Sequence, residues 1–168
     1  MIAVELTREA VWPDAGWEGL AQRAAELAIS KSPYIALCRA TSTIEISIHL
    51  TDDTRVRSLN TQYRHKDKPT NVLSFPMIEP DLLDLVATVE EGEVLLGDIV
   101  LAHGICVAEA EERGISIVDH ATHLIVHGTL HLLGYDHMGD AEAETMEALE
   151  TDVLAALGLA DPYLIRED

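Results

Sequence analysis

Basic residues are scarce in this chain: eleven Lys and Arg stand against thirty Asp and Glu, for a formal charge of −19. A surface so acidic repels phosphates overall and excludes a generally basic nucleic-acid coat. Cysteine is nearly missing. Cys38 and Cys106 lie far apart and match no metal-binding or redox spacing, which argues for reduced, ordinary thiols in a cytoplasmic protein. Long apolar runs are missing too. The N-terminal MIAVELTREAVW has no basic segment leading into an apolar stretch, so no signal peptide is expected. The most apolar segment, VLLGDIVLA, is short and contains Asp98, which excludes a membrane span. No internal repeat and no Ser/Gly/Pro linker breaks the chain. Against these absences, 48% of the 168 residues are hydrophobic, enough for the core of one domain covering residues 1–168.

The few cations are not spread evenly. Arg55, Arg57, Arg64, Lys66 and Lys68 fall within fourteen positions, while the acids gather in EPDLLD, VEEGE and DAEAETMEALETD. A locally basic segment in an acidic chain is either a solvated helix face or a grip for an anionic partner.

Periodicity outlines the elements. IAVELT and the alternating TIEISIHL (43–50) are expected strands, with a helix over about 17–30 between them. TDDTRVRSLNTQYR opens on cap-type residues and spaces Val56, Leu59 and Tyr63 as a helix does. RHKDKPT is a polar loop, NVLSFP a short strand and EVLLGDIVLA (93–102) a buried strand. HGICVAEAEERG is a helix ended by Gly114. Ser116 with Asp119 resembles a capping box for a helix reaching about Leu133, with Ile117, Ala121, Leu124, Ile125, Gly128 and Leu132 on its apolar face. A last helix from about Asp140 to Leu157 is expected to bury Met146, Leu149, Val153 and Leu157. Strands early and helices late predict an α+β fold: a small mixed β-sheet flanked by helices, with a zincin-like, zinc-binding helix-turn near the C-terminal part.

Four histidines fall on the 116–133 helix. His127 and His131 project 40° apart one turn from each other, as two imidazoles on one zinc must. His120 is displaced about 16 Å along the axis from His131, too far for a shared ion. His123 pairs equally well with His127, so the third ligand decides. Gly134 can end the helix in a left-handed turn that folds His137 back toward His131. The segment HGTLHLLGYDH thus offers His127, His131 and His137 to one metal ion. His120 and His123 are read as polar helix edge or as outer hydrogen-bond partners. Three neutral imidazoles leave one open coordination position, the catalytic pattern, and favour zinc, though Ni²⁺ or Co²⁺ would also bind. Asp98 or Asp136 is placed to orient a ligating ring through its free N–H.

Metalloproteases carry a glutamate directly after the first histidine, and this chain has Gly128. Without that proton carrier a peptide amine is a poor leaving group. Phosphodiester cleavage asks instead for charge stabilisation on non-bridging oxygens, work for a metal and an arginine.

HGTLHLLGYDH, YRHKDKPTNVLSFP and LLGDIV, in this chain's own spelling, together resemble the YbeY family of bacterial endoribonucleases and ribosomal RNA maturation factors. The likeness runs from about Ile44 to Pro162 and includes the C-terminal DPY. It implies one Zn²⁺ per chain on His127, His131 and His137, and a functional arginine at Arg64. Asp98 matches the aspartate of the family's LGD block. It further implies a cytoplasmic, single-strand-specific endoribonuclease acting in 16S rRNA 3′-end maturation and ribosome quality control. Ribosomal RNA, the small subunit and its assembly factors are the implied partners. Arg64 and His127 are then the expected catalytic residues, with Arg55, Arg57, Lys66 and Lys68 gripping RNA beside Arg64. Two other classes remain open: a zinc peptidase that draws its base from elsewhere, and a non-catalytic ribosome assembly factor with a structural zinc.

Overall fold

The computed structural model describes residues 1–136 and 139–163. Four strands form one sheet in the order β1 (Ile2–Arg8), β2 (Thr43–Thr51), β4 (Glu93–Ala102), β3 (Val72–Pro76). The first three run parallel and β3 runs antiparallel to β4, so the sheet is mixed and β3 is one of its edges. Helices α1 (Trp17–Ser30), α2 (Asp53–Arg64), α3 (Leu83–Val86), α4 (His103–Arg113), α5 (Ile117–Leu132) and α6 (Asp140–Ala156) surround it. The expected elements are all present, within a residue or two of their expected ends. Two short 3-10 turns, Ile35–Arg39 and Pro80–Leu82, and the single turn α3 are additions that carry no long periodic pattern.

Alternation decides which sheet face is covered. Ile44, Ile46, Ile48 and Leu50 of β2 are buried in the main core with Ala121, Leu124, Ile125 and Leu132 of α5 and the alanines of α1. Each large aliphatic side chain so buried contributes roughly 1.5–3 kcal/mol. On the opposite face Val56 of α2 packs with Leu73, Val100 and Ala102, and Leu59, Phe75 and Ile105 border them. Tyr63 departs from its expected place on that face: it is exposed, against the edge of Phe75.

A one-residue bulge sets the phase of β4. Glu45 pairs with Leu95 but Ile46 pairs with Gly97, leaving Leu96 as the extra residue. The slip turns Gly97 and Ile99 toward α5 and Asp98 away from it. The approach is close at this point. A Cβ on Gly97 would lie 2.5 Å from Leu132 Cδ2 and 2.6 Å from the Phe75 carbonyl oxygen, so only glycine fits.

Helix ends follow local chemistry. Ser116 accepts from Asp119 N at 3.1 Å and starts α5. Gly114 (φ 66°) ends α4, and Gly134 (φ 96°) turns the chain after α5, both in the left-handed region that glycine enters freely. α2 stops on His65, a non-glycine residue at φ 57°. Buried Asn60 then donates Nδ2 to Lys68 O at 2.8 Å and pins the basic loop back onto α2. Among the described residues no helix is long and apolar enough to cross a membrane.

Candidate metal centre

α5 carries its histidines on one stripe, with ring centroids 6.1 Å apart from His120 to His123, 6.2 Å to His127 and 4.5 Å to His131. Each ring has a different oxygen partner. His120, buried, donates Nε2 to Glu109 Oε1 at 2.9 Å, an oxygen that also accepts from Asn71 Nδ2 at 3.0 Å. His123 donates Nε2 to Glu150 Oε2 at 2.9 Å. His127 donates Nδ1 to Glu150 Oε1 at 2.5 Å, and His131 donates Nδ1 to Tyr135 O at 2.7 Å. The Gly134 turn is what returns the Tyr135 carbonyl to His131.

These partners dictate tautomers. A carbonyl oxygen and an ionised carboxylate only accept, so both Nδ1 atoms carry their protons and the neutral rings present Nε2 lone pairs. The two Nε2 atoms lie 2.9 Å apart. Lone pairs at that distance repel unless a cation, a proton or a metal, lies between them. Tetrahedral zinc with bonds of ~2.0–2.1 Å sets its nitrogens about 3.3 Å apart, within a few tenths of an ångström of this pair. The donor set therefore fits a metal ion.

Glu150 is the residue that periodicity missed. It lies on α6 with no exposed surface, where Leu149 and Leu157 were expected; those two are only half-buried, and Leu154 is buried in their place. A carboxylate alone in an apolar interior is costly unless it is hydrogen-bonded. Burial alone would raise its pKa, but the hydrogen bonds it accepts from His123, His127 and the Tyr163 hydroxyl outweigh burial and hold it down at about 2. The sequence signal was present: Glu150 stands four residues after Met146 and three before Val153, an acid on the apolar stripe. His123, His127 and Glu150 bring a ligand atom each within 4.8 Å of one another, a second group able to hold a metal ion.

Of the residues expected at the site, His127 and His131 come together, while His137 lies outside the described residues. Asp136 is exposed at the end of the turn, immediately before His137. Asp98 stands on the sheet face opposite α5, with its Oδ1 3.5 Å from His49 Nε2, and the Nδ1 atoms of His127 and His131 meet Glu150 and the Tyr135 carbonyl instead. The bulge at Leu96 is the reason.

Gly128 is packed rather than open. A Cβ there would lie 2.9 Å from Ile99 Cγ2 and 3.1 Å from Ser74 Oγ, so no glutamate fits next to His127. Ser74 is the bridge to the basic segment. Arg64 donates Nη2 to Ser74 O at 2.7 Å with its guanidinium 5.5 Å from the Phe75 ring centre, an exposed cation fixed on the β3 edge. The other cations separate. Arg57 is held by Asp67 through Nε at 2.8 Å and Nη2 at 3.2 Å. Arg55 lines a cleft with His49 and Asp98 on the far sheet face, and Lys66 and Lys68 are exposed in the pinned loop.

Along the other flank of α5 a groove of about 350 Å³ runs past Asn71, Glu109, His120, His123, His127 and Tyr163. Cys106 takes no part in any of this: burial first, then Glu109 and Asp53, push its thiol up to about 12.

A family model described as "Endoribonuclease YbeY" matches residues 8–158. A protein of Rhizorhabdus wittichii named endoribonuclease YbeY is 56% identical over the full length of both chains. One of Sphingopyxis alaskensis with the same name is 52% identical, covering 97% of this chain and 98% of the relative. Among solved structures, the solution structure of TM1509 from Thermotoga maritima covers 98% of this chain and 100% of its own, with a TM-score of 0.53 and 22% identity, a likeness of fold.

Proposed function

The chain belongs to the YbeY family of endoribonucleases, and from that premise we propose that it is a single-strand-specific, zinc-dependent endoribonuclease built as one hydrolase domain. The observation that carries the reading is the approach of the His127 and His131 Nε2 atoms to 2.9 Å. Both rings are locked by Nδ1–H donation, beside an edge strand that holds Arg64. His127, His131 and His137 hold the ion, and Glu150 is the carboxylate behind His127. The alternative group of His123, His127 and Glu150 is less suited, because there each Glu150 oxygen already accepts an N–H from one of the two rings. A zinc ion in this position supplies Lewis acidity toward a phosphoryl oxygen.

The chain's own residues do the rest. Glu150 and the Tyr135 carbonyl keep the ligating rings in one tautomer and one orientation. Arg64, anchored by one nitrogen to Ser74 O, offers its remaining N–H groups to the non-bridging oxygens as charge develops on them. The packing of Gly128 against Ile99 and Ser74 excludes a carboxylate at the position that follows His127, where a peptidase keeps the acid that carries a proton to the leaving amine. That favours a phosphodiester over a peptide substrate.

The substrate in this reading is ribosomal RNA at the 16S 3′ end, met in the cytoplasm on or near the small subunit with its assembly factors. Cells lacking the chain are then expected to accumulate 16S rRNA with an unprocessed 3′ end. His127→Ala tests the catalytic role. A folded chain that still binds single-stranded RNA but no longer cuts it supports the reading. A chain that unfolds on losing His127 points to a structural metal.

A further inference from the structure

The last described turn of the chain, residues 161–163, returns to the metal centre from beyond α6. Its anchors are specific. Arg113, the last residue of α4, donates Nη2 to Pro162 O at 3.0 Å. Asp161 Oδ1 accepts from Tyr163 N at 2.8 Å and from Thr151 Oγ1 of α6 at 3.3 Å. These hold Tyr163 so that its ring stands edge-on to His123, with centroids 6.0 Å apart, and its hydroxyl donates to Glu150 Oε2.

Glu150 thereby receives donors from two elements besides its own: His123 and His127 from α5, and Tyr163 from the C-terminal turn. Oε1 serves His127, while Oε2 is shared by His123 and Tyr163. We propose that Tyr163 is a positioning residue for the metal centre: its hydroxyl fixes the Glu150 carboxylate, and the fixed carboxylate aims the His127 ring at the metal. The proposal rests on the reading of His127 and His131 as metal ligands.

Two features separate this role from simple packing. Tyr163 is 39% exposed, so its ring adds little to the core, and the end inserted is the polar one. The residue it touches is a carboxylate with no exposed surface, both of whose oxygens accept from the α5 histidines. A carboxylate held by donors on both oxygens from two directions keeps one rotamer. Held by α5 alone, it is free to follow His127 rather than to direct it. Outer partners of this kind typically set metal affinity by 10–100-fold.

The test measures zinc affinity by chelator competition, together with the melting temperature of the metal-free chain. Tyr163→Phe keeps the ring against His123 and removes only the donor. The expected result is a zinc Kd raised about ten-fold, with a metal-free melting temperature falling no further than that of Asp52→Ala. The latter removes the N-cap of α2, which accepts from Arg55 N at 2.7 Å far from the centre, and is expected to leave the zinc Kd unchanged. Arg113→Gln, which loosens the turn without touching Glu150, is expected to weaken zinc binding in the same direction. Zinc Kd values within two-fold of wild type for both Tyr163→Phe and Arg113→Gln overturn the proposal. So does an Asp52→Ala chain whose affinity falls as far as that of Tyr163→Phe, because affinity would then follow stability. A wild-type chain that takes up no zinc removes the metal reading itself, and this proposal with it.

Discussion

At position 128 the distance to the sheet governs both stability and chemistry. The backbone of α5 approaches Ile99 and Ser74 so closely that even a methyl group is crowded. Gly128→Ala is therefore expected to destabilise the chain by about 1–3 kcal/mol through overpacking, although alanine is the better helix former. Urea denaturation of the metal-free protein checks this, and a stabilised Gly128→Ala variant would contradict the geometry. The absence of a base at Gly128 was legible in the sequence, but the packing that requires it was not. The pairing of His127 with His131 on one helix face was legible too, because i, i+4 spacing on a helix is a local property. Glu150 escaped because its partners lie 23 and 27 residues away, and helical spacing shows a stripe without showing what faces it.

At the scale of elements, strand and helix limits were legible because β2 alternates strictly and because Ser116, Gly114 and Gly134 mark helix ends by local conformation. The phase of β4 was not. EVLLGDIVLA is apolar almost throughout, so alternation does not say which face Asp98 takes. That was decided by the extra residue in the ladder at Leu96. The consequence is measurable. Asp98→Asn is expected to leave zinc affinity within two-fold of wild type, since its carboxylate meets His49 on the far face of the sheet. A ten-fold loss in chelator competition would place Asp98 behind a ligating ring after all.

For the whole molecule the question is how a chain of charge −19 grips RNA. Composition showed the concentration of cations between 55 and 68, but their division between two faces and one ion pair depends on tertiary packing. Arg57 is engaged by Asp67 and Arg55 faces the far side, which leaves Arg64, Lys66 and Lys68 around the β3 edge and the pinned loop. Reversing Arg64 and Lys66 to Glu is expected to weaken RNA binding and to lower the slope of log K against log salt by about 1.4, at about 0.7 for each phosphate of a single strand that is no longer neutralised. An unchanged slope would move the RNA elsewhere.

The central claim is that a metal on the α5 histidines and the Arg64 guanidinium together cut RNA. It is tested most directly by cleavage of a single-stranded RNA with metal-stripped protein, before and after Zn²⁺ is restored, alongside Arg64→Ala. The predicted result is no cleavage without metal and cleavage on adding zinc. Arg64→Ala should bind zinc as wild type does and cleave about 10²-fold more slowly. Cleavage that persists without metal, or a zinc-loaded chain that spares RNA while hydrolysing peptides, would contradict the account.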